Sequence, residues 1–240
     1  MPKEIVFDLE TTGLEPYDRI TQYTFLNIET NEFIASYVKA EIPIHPRAVE
    51  VTGITDMDLK DKKPFHHHIQ TILDFSTDTN DTNDTNDTEP IYLIAHNGDK
   101  FDRQILAQEF QRCGSAFPVF TYFRFIDTVK LSRTLLHNEL ECHKLDSLRK
   151  YCNLSSDNAH SAAKDVFDLA IVYNKFKENK TVEELYDISF HYFPFGKHRG
   201  EDFREIPKEY IKHFILKKEI YNTDPTVLAL CLRYYPEWLA

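Results

Sequence analysis

The chain has 240 residues, of which 42% are hydrophobic and 28% are charged, and its formal net charge is −11. This composition is typical of a soluble globular protein with one well-buried domain and a small appendage. No stretch approaches the roughly 20 apolar residues that a membrane-spanning helix needs, so we expect no membrane partner.

The acidic charge is unevenly distributed along the chain. Residues 191–240 hold 8 Lys/Arg against 7 Asp/Glu, whereas the first 190 residues hold 20 against 32. This balance argues against tight, salt-sensitive binding of a nucleic acid duplex. It does not exclude an enzyme that holds a strand end through metal ions.

The cysteines and the N-terminus predict the cellular compartment. Cys113, Cys142, Cys152 and Cys231 are scattered and form no CxxC pair, which favours reduced thiols over a disulfide framework or a zinc ribbon. Charges lie directly beside the short apolar stretch near the N-terminus, so this stretch is not a secretory signal. We therefore expect an intracellular, cytoplasmic protein.

The first part of the chain predicts an antiparallel meander. Residues 4–9, 21–28 and 33–40 are rich in β-forming side chains and have short connections, so we predict three successive strands. The stretch 42–55 contains two prolines and Gly53. It predicts a loop and a short helix, followed by a turn into a second short helix.

Residues 76–89 read STDTNDTNDTNDTE, a Thr-Asn-Asp repeat without an apolar side chain. The repeat has nothing to bury and predicts a disordered surface loop that acts as a spacer. Strands are predicted beyond it at 91–95 and 121–127, and they alternate with helices. The predicted helices span about 101–112, 128–137, 144–151 and 161–178. A meander followed by alternating helices and strands predicts an α/β fold with a mixed sheet flanked by helices.

The composition changes after Asp187, where SFHYFPFGKHRGEDF is aromatic and carries Pro194 and two glycines. This segment predicts a short hairpin, and two helices are predicted to follow at about 207–219 and 225–234. We accordingly predict a main domain over 1–186 and a small accessory domain over 187–240.

Four carboxylates and one histidine stand at informative places. Asp8 and Glu10 lie two apart on the first predicted strand and share one face. Asp102 falls in the first turn of a predicted helix, Asp165 lies near the start of another, and His160 just precedes that helix. Each residue alone has an ordinary explanation: a solvated strand or helix face, a helix dipole, or a surface histidine. Together they predict a hard-cation site with a histidine that handles a proton.

Three motifs carry these residues in order: FDLETTGL, AHNGDKFD and HSAAKD. In this order the chain strongly resembles the DnaQ-like, or DEDDh, 3′→5′ exonuclease family, over roughly residues 3–178. Further matches lie at PRAVEVTGIT, IDTVKLSR and KLDSLRKYC. The resemblance implies a ribonuclease H-like fold, in which an antiparallel meander is joined to parallel strands.

The resemblance also implies a two-metal mechanism with Mg²⁺ or Mn²⁺. Asp8 is expected to bridge both ions, with Glu10 and Asp165 completing the ion that holds the attacking water, and Asp102 supporting the other. His160 is expected to take the proton of the water, a role that suits its pKa near neutrality. The expected product is a nucleoside 5′-monophosphate.

Substrate contacts are also carried over from the family. Backbone around Thr11 and Thr12 is expected to meet the terminal sugar, and the turn of Gly53, Ile54 and Thr55 to pack on the terminal base. Asn97 and Phe101 are interpreted as residues that shape the second motif.

Two positions depart from the family pattern or distinguish its subclasses. Thr52 stands where many members have histidine, which weakens the expected nucleotide contact at this turn. Ser161 stands where the tyrosine subclass has tyrosine, which favours the histidine subclass. The tract 66–68 of three histidines is interpreted as surface rather than as a metal site, and Asp127 as a helix cap.

The segment after the nuclease motifs resembles the small C-terminal domain of exodeoxyribonuclease X-like proteins through GKHRG and the following I-P-x-x-Y-I pattern. Lys197 and Arg199 could contact phosphates there; a packing module with a solvated basic turn is an equally weighted alternative. The resemblance favours DNA as substrate.

The expected partner is therefore a single-stranded or frayed 3′ end of DNA. Two alternatives stay open: an exoribonuclease that processes RNA 3′ ends, and a catalytically silent module that binds ends or tethers a polymerase. A polymerase or other protein bound through the C-terminal domain is expected to be a separate chain.

Overall fold

The fold is described from a computed structural model. It covers residues 2–15, 17–77, 90–114, 123–155, 162–194, 196–216 and 225–238. Five strands form one sheet in the order β3-β2-β1-β4-β5. The strands are β1 Glu4–Thr11, β2 Ile20–Asn27, β3 Phe33–Tyr37, β4 Ile91–Ala95 and β5 Phe123–Asp127.

The sheet is mixed. Strands β1, β2 and β3 pair antiparallel as a meander, and β4 and β5 add to the other side of β1 in parallel. This arrangement confirms the predicted fold class. The pairing of β1 with β2 is interrupted by a register shift between Glu10 and Thr11, at the end of β1 where the first motif turns away.

Ten helices are found in the described residues. They are α1 Pro46–Thr52, α2 Asp56–Leu59, α3 Ile69–Ser76, α4 Asp102–Arg112, α5 Thr128–Leu135, α6 Leu145–Tyr151, α7 Ala162–Lys177, α8 Val182–His191, α9 Lys208–Tyr210 and α10 Pro225–Tyr234. A π-helical segment, Ile211–Leu216, continues α9. The sequence prediction contains the counterparts of all except α3 and α8.

Two apolar layers cover the sheet because the side chains of each strand alternate between its faces. On β1, Val6 packs in one layer with α5, α6, α7 and α8. Ile5, Phe7 and Leu9 pack in the other layer with α3 and α4. Residues 6, 8 and 10 therefore share the face that α7 covers, which decides where Asp8 and Glu10 point.

Two predicted boundaries fall inside helices of the structure. Ser76 was assigned to the disordered loop, but it is the buried last residue of α3. The rest of the predicted loop, apart from Thr77, lies outside the described residues. The predicted domain boundary at 186/187 falls inside α8, a continuous helix that packs on β5 and α5. The two-domain organisation stays a prediction.

The C-terminal part has an apolar cluster of its own. Its buried side chains are Phe193, Phe203, Ile206, Ile211, Val227, Leu230 and Cys231. Within the described residues of the predicted hairpin, an antiparallel bridge joins Tyr192 to Asp202. Between them, Gly196–His198 forms a 3₁₀ turn.

Across the described ranges, no helix is long and apolar enough to cross a membrane.

Candidate active site

Asp8 and Glu10 lie at the C-terminal end of β1, on the face covered by α7. Both carboxylates are partly buried. Asp165 lies in the first turn of α7, which contacts β1. The alternation of β1 and the start of α7 thus bring three of the predicted carboxylates to one place.

Asp102 joins them from the other layer because β1 extends beyond its pairing with β4. The recorded pairing ends at Val6 with Ile94, so the backbone N–H of Leu9 is left for another acceptor. The carboxylate of Asp102, in the first turn of α4, accepts this N–H at 3.2 Å. Leu9 lies between Asp8 and Glu10, so this bond fixes Asp102 beside both.

Arg149 on α6 is a fixed cation next to these carboxylates. Its guanidinium donates to Asp165 at 2.5 Å, to Asp168 at 2.7 Å and to Asp146 at 2.8 Å. The side chain of Arg149 is 2% exposed. Sequence reasoning missed this residue, although the spacing of Asp146 and Arg149 on a predicted helix signals an ion pair.

The electrostatics of the site are those of crowded negative charge. Burial, followed by the charges of Asp102, Glu10 and Asp165, raises the pKa of Asp8 well above its usual value, and Arg149 opposes this shift. Burial and the charges of Asp165 and Asp102 raise the pKa of Glu10 to about 8. Burial likewise raises the pKa of Asp102 to about 7, against the hydrogen bonds from backbone N–H groups. A bound cation would relieve this repulsion.

A cleft of about 820 Å³ opens beside Glu10. Thr11 and Phe101 line it next to the carboxylates, and Leu14 and Tyr17 form an apolar rim with 82% and 68% of their surface exposed. Phe101 was interpreted as a residue that shapes the second motif, but it also forms part of this wall.

The opposite wall of the cleft comes from the segment that leads into α1 and from α1 itself. His45 and Arg47 line the cleft together with Ala48, Val51 and Thr52. His45 also caps α1, because its Nδ1 accepts the N–H of Arg47 at 3.2 Å. The sequence analysis did not assign a role to His45 or Arg47, since a lone histidine before a short helix and a lone arginine in its first turn carry no signal.

The loop after β1 is held by Asp18. Its carboxylate accepts the hydroxyl of Thr12 and the N–H of Glu15, both at 2.6 Å. A Cβ on Gly13 would lie 2.6 Å from the same carboxylate, which explains the glycine. Thr12 is fully buried, so its side chain braces the loop, whereas Thr11 lines the cleft.

The turn after α1 has mainly structural contacts. Gly53 ends α1 with φ 72°, a left-handed conformation that favours glycine. Ile54 is buried with Ile44 and Leu59, and Thr55 caps α2 in a reciprocal pair with Asp58. The described wall of the cleft here is Val51 and Thr52 rather than Gly53, Ile54 or Thr55. A role for these three in substrate binding stays a prediction.

Asp127 is the helix cap that the sequence predicts. Its carboxylate accepts the N–H of Val129 at 2.9 Å and that of Asn97 at 3.0 Å. Asn97 has φ 62°, so the second contact holds the strained turn of the second motif. Of the tract 66–68, His66 and His67 are exposed and His68 contacts Tyr23; they gather no further ligands in the described part of the chain.

Two sets of predicted site residues lie away from the carboxylates or outside the described ranges. His160 and Ser161 lie outside the described residues. Lys197 and Arg199 are exposed on the turn after Tyr192. The ammonium of Lys197 lies 5.1 Å from the centre of the Tyr210 ring, and Arg199 lines a separate cavity.

A second group of ligand-type side chains, Asp187, His191 and Asp202, lies in the C-terminal part. Arg204 pairs with Asp187 at 2.7 Å and with Asp202 at 2.6 Å. The guanidinium already supplies the positive charge that these carboxylates require, so the group is explained without a metal ion.

Residues 5–173 match a family model described as "Exonuclease". A DNA polymerase III of the PolC type from Listeria welshimeri is 29% identical over 191 residues, which are 78% of this chain and 12% of that protein. The PolC-type protein of Streptococcus pneumoniae R6 is 30% identical over 165 residues, 67% of this chain and 10% of its own length. The chain thus spans about a tenth of these curated relatives.

Solved structures share the fold. Escherichia coli exonuclease I, in a zinc-bound complex with single-stranded DNA, superposes with a TM-score of 0.62 and 21% identity over 78% of this chain and 42% of that one. Exonuclease X in complex with 5′-overhanging duplex DNA gives a TM-score of 0.57 and 21% identity over 78% and 99%. The five-stranded mixed sheet with its flanking helices is therefore the ribonuclease H-like fold of these exonucleases.

Proposed function

This chain belongs to the exonuclease family, the DnaQ-like family that its motifs resemble, and from this premise we propose that it is a metal-dependent 3′→5′ exonuclease acting on DNA ends. The observation that carries the proposal is the gathering of four carboxylates around the C-terminal end of β1, beside a cleft. They belong to Asp8, Glu10, Asp102 and Asp165. The PolC-type relatives and the DNA-bound structures support DNA over RNA.

The donor set fits two Mg²⁺ or Mn²⁺ ions. All four side chains offer hard oxygen ligands, which these ions prefer. Burial and the mutual repulsion of these carboxylates raise the pKa of Asp8, and a divalent cation would relieve the repulsion. Such ions, when bound, stabilise the negative charge that develops on the reacting phosphate.

The remaining roles fall to the residues of this chain. His160 takes a proton from the attacking water in this proposal, which rests on its position five residues before Asp165. Leu14, Tyr17 and Phe101 offer apolar surface to the terminal bases. The backbone around Thr11 faces the terminal sugar, and release of a nucleoside 5′-monophosphate follows.

The test is hydrolysis of matched 5′-labelled oligonucleotides: single-stranded DNA, duplex DNA with a frayed 3′ end, and RNA. We expect a ladder that shortens from the 3′ end of DNA with Mg²⁺ or Mn²⁺ and stops with EDTA. Asp8→Asn should abolish it, because this carboxylate lies at the centre of the cluster. Asp61→Asn, the same change at an exposed carboxylate, is the matched control.

Three outcomes would contradict parts of the proposal. Hydrolysis by a folded Asp8→Asn protein would reject the site. Faster shortening of RNA than of DNA would favour the exoribonuclease. Binding of 3′ ends without any metal-dependent hydrolysis by the wild type would favour the catalytically silent module.

A further inference from the structure

A second cavity, of about 660 Å³, lies between the residues that follow β4 and the turn that carries Arg199. The side chains that matter for its chemistry come from four places in the chain: His96 after β4, Arg133 on α5, His143 and Lys144 before α6, and Tyr192 and Arg199 near the C-terminal part. Its size suits a nucleotide-sized ligand.

The charge lining this cavity is predominantly positive. Arg133, Lys144 and Arg199 face one carboxylate, that of Glu141. The ion pairs found among the described residues include none with Arg133 or Arg199. In a chain with a net charge of −11, three cations with so little compensation at one cavity indicate selection for an anion.

Burial and this positive charge together lower the pKa values of the two histidines of the cavity. Burial, followed by the charges of Arg149 and Arg133, lowers the pKa of His96 to about 4. Burial and the charges of Arg133 and Arg199 also lower the pKa of His143. Both histidines are therefore neutral near pH 7, and the positive charge of the cavity resides on its arginines and lysine.

A buried hydroxyl supplies the independent sign of a ligand. The side chain of Tyr192 lines the cavity and is 2% exposed, yet its OH has no hydrogen-bond partner in the described residues. The Nδ1 atom of His143 is likewise buried without a partner there. Leaving a buried hydroxyl unpaired costs on the order of 1–3 kcal/mol, which a ligand with acceptor oxygens would offset.

Two of the elements around the cavity also lie next to the carboxylates. Leu145 lines it, and Arg149, which binds Asp165, is one turn or about 6 Å further along α6. His96 follows β4, the strand next to Asp8 on β1. We therefore expect a strand whose last nucleotide occupies the cleft to reach the cavity with another part of its backbone.

We propose that this cavity binds a backbone phosphate of the nucleic acid strand, outside the linkage that is cleaved, through Arg133, Arg199 and the Tyr192 hydroxyl. The inference rests on the proposed function for the identity of the ligand. The Gly196–Gly200 turn, which carries Arg199, then belongs to the path of the substrate strand. The affinity of the protein for single-stranded DNA should therefore depend on the length of the strand.

The experiment measures binding of labelled single-stranded DNA to the full chain in EDTA, by fluorescence anisotropy, as a function of salt. Each phosphate contact on single-stranded DNA contributes about 0.7 to the log–log salt slope, or roughly fivefold in affinity at about 0.1 M salt. Arg133→Gln and Arg199→Gln should each flatten the salt slope by about 0.7 and lower the affinity roughly fivefold for a dodecanucleotide. Neither change should affect binding of a trinucleotide. Arg133→Lys should recover most of the slope.

Lys150→Gln is the matched control, because Lys150 is exposed on α6 and does not line the cavity. It removes the same charge and should leave the length dependence intact. Arg199 is exposed, so its substitution tests the site even if Arg133→Gln fails to fold.

Two results would overturn the inference. Salt slopes equal to those of the wild type in both arginine variants would remove the phosphate contact. Arginine variants that bind DNA as the wild type does, but bind inorganic phosphate or a free nucleoside 5′-monophosphate more weakly, would make the cavity a product site. Hydrolysis by the wild type with unchanged slopes would reject this inference alone, whereas arginine-dependent binding without hydrolysis would reject the proposed function alone.

Discussion

His160 is the residue whose role depends most on sequence, since it precedes α7 and lies outside the described residues. A positioned proton-transfer group contributes roughly 10²–10⁴-fold to a rate. We expect His160→Ala to lower kcat on single-stranded DNA by this factor while the affinity for a 3′ end changes little. Single-turnover kinetics and anisotropy separate the two effects, and His137→Ala, at an exposed histidine, is the control. Unchanged turnover would leave His160 without a catalytic role.

Glu10 should make the metal-free protein less stable as the pH rises. Its pKa is about 8 in the folded state but about 4.3 in an unfolded chain. Between these values the folded state keeps a proton that the unfolded chain has released, so the free energy of unfolding falls with rising pH. This contribution is complete below about pH 4 and lost above about pH 8.

Glu10→Gln removes that titration, so we expect a shallower fall of stability from about pH 5 to pH 8 in EDTA. Urea unfolding at each pH measures it, with Glu29→Gln as the control at an exposed carboxylate. Saturating Mg²⁺ should raise the stability of the wild type most at the high end of the range, where the carboxylates are charged. Parallel profiles for the variant and the wild type would contradict the assignment.

Arg149 shows how a site of like charges is kept together. Replacing it by methionine leaves the mostly buried Asp165 without its cationic partner and leaves Asp168 with Lys164 alone. Breaking a buried ion pair on one side costs on the order of 3–5 kcal/mol, so Arg149→Met should lower the free energy of unfolding by about that amount. Lys164→Met is the matched control, because Lys164 also pairs with Asp168 but is partly exposed. Equal, small losses in both variants would show that Arg149 is dispensable.

At the scale of elements, the strands were the most predictable part. Strands β1 and β4 are short apolar runs bounded by turn residues, and their predicted and observed bounds agree closely. Helices α3 and α8 were missed because α3 ends against the polar repeat and the change of composition after Asp187 falls inside α8. Their helical character is fixed by packing on the sheet layers, which a local pattern does not reveal.

The residues of the candidate site likewise fall into those that a local sequence motif predicts and those that only the folded chain reveals. Asp8, Glu10, Asp102 and Asp165 were predictable because each belongs to a local motif at a strand end or helix start. The contribution of Arg149 depends on partners 16 and 19 residues away that meet it only in the folded chain. The wall that α1 contributes to the cleft was not predicted for a related reason, since the family motif points to the turn after α1 and not to the helix itself.

The Thr-Asn-Asp repeat connects α3 to β4 and should be replaceable. Thr77 is already anchored, because its hydroxyl donates to the carbonyl of Leu73 at 2.8 Å, so the replacement begins at residue 78. Doubling or halving a flexible loop changes its closure free energy by only about 0.6 kcal/mol. Replacing 78–88 by a few Gly/Ser residues should keep the melting temperature and leave activity within a few-fold. A large loss on one substrate alone would instead make the repeat a gate that excludes it.

At the scale of the whole molecule, the C-terminal part combines its own core with contacts to the nuclease sheet. The cluster around Phe193 and Phe203 is separate from the two layers that cover the sheet. Contacts also cross between the parts: Ser189 on α8 accepts the N–H of Asp127 at 2.9 Å. We therefore expect the chain to tolerate shortening only at a point after α8, the helix that packs on β5 and α5.

Two truncations test this view, one ending at residue 192 and one at residue 188. The longer keeps α8 whole, so we expect it to fold and to retain metal-dependent hydrolysis of short DNA. The shorter removes Ser189 and leaves the buried N–H of Asp127 unpaired, a loss of about 1–3 kcal/mol at the cap that holds Asn97. Calorimetry should therefore give a lower melting temperature for the shorter chain than for the longer.

The longer truncation also bears on the substrate path, because it removes Arg199 but keeps the nuclease carboxylates. Its affinity for long single strands should fall, with a salt slope flatter by about 0.7 for each lost phosphate contact, while a trinucleotide should bind as before. A soluble chain with unchanged slope would mean that the C-terminal part serves another purpose, such as binding a protein. Insolubility of the chain ending at 192 would mean that the cluster around Phe193 covers apolar surface that the nuclease sheet cannot expose.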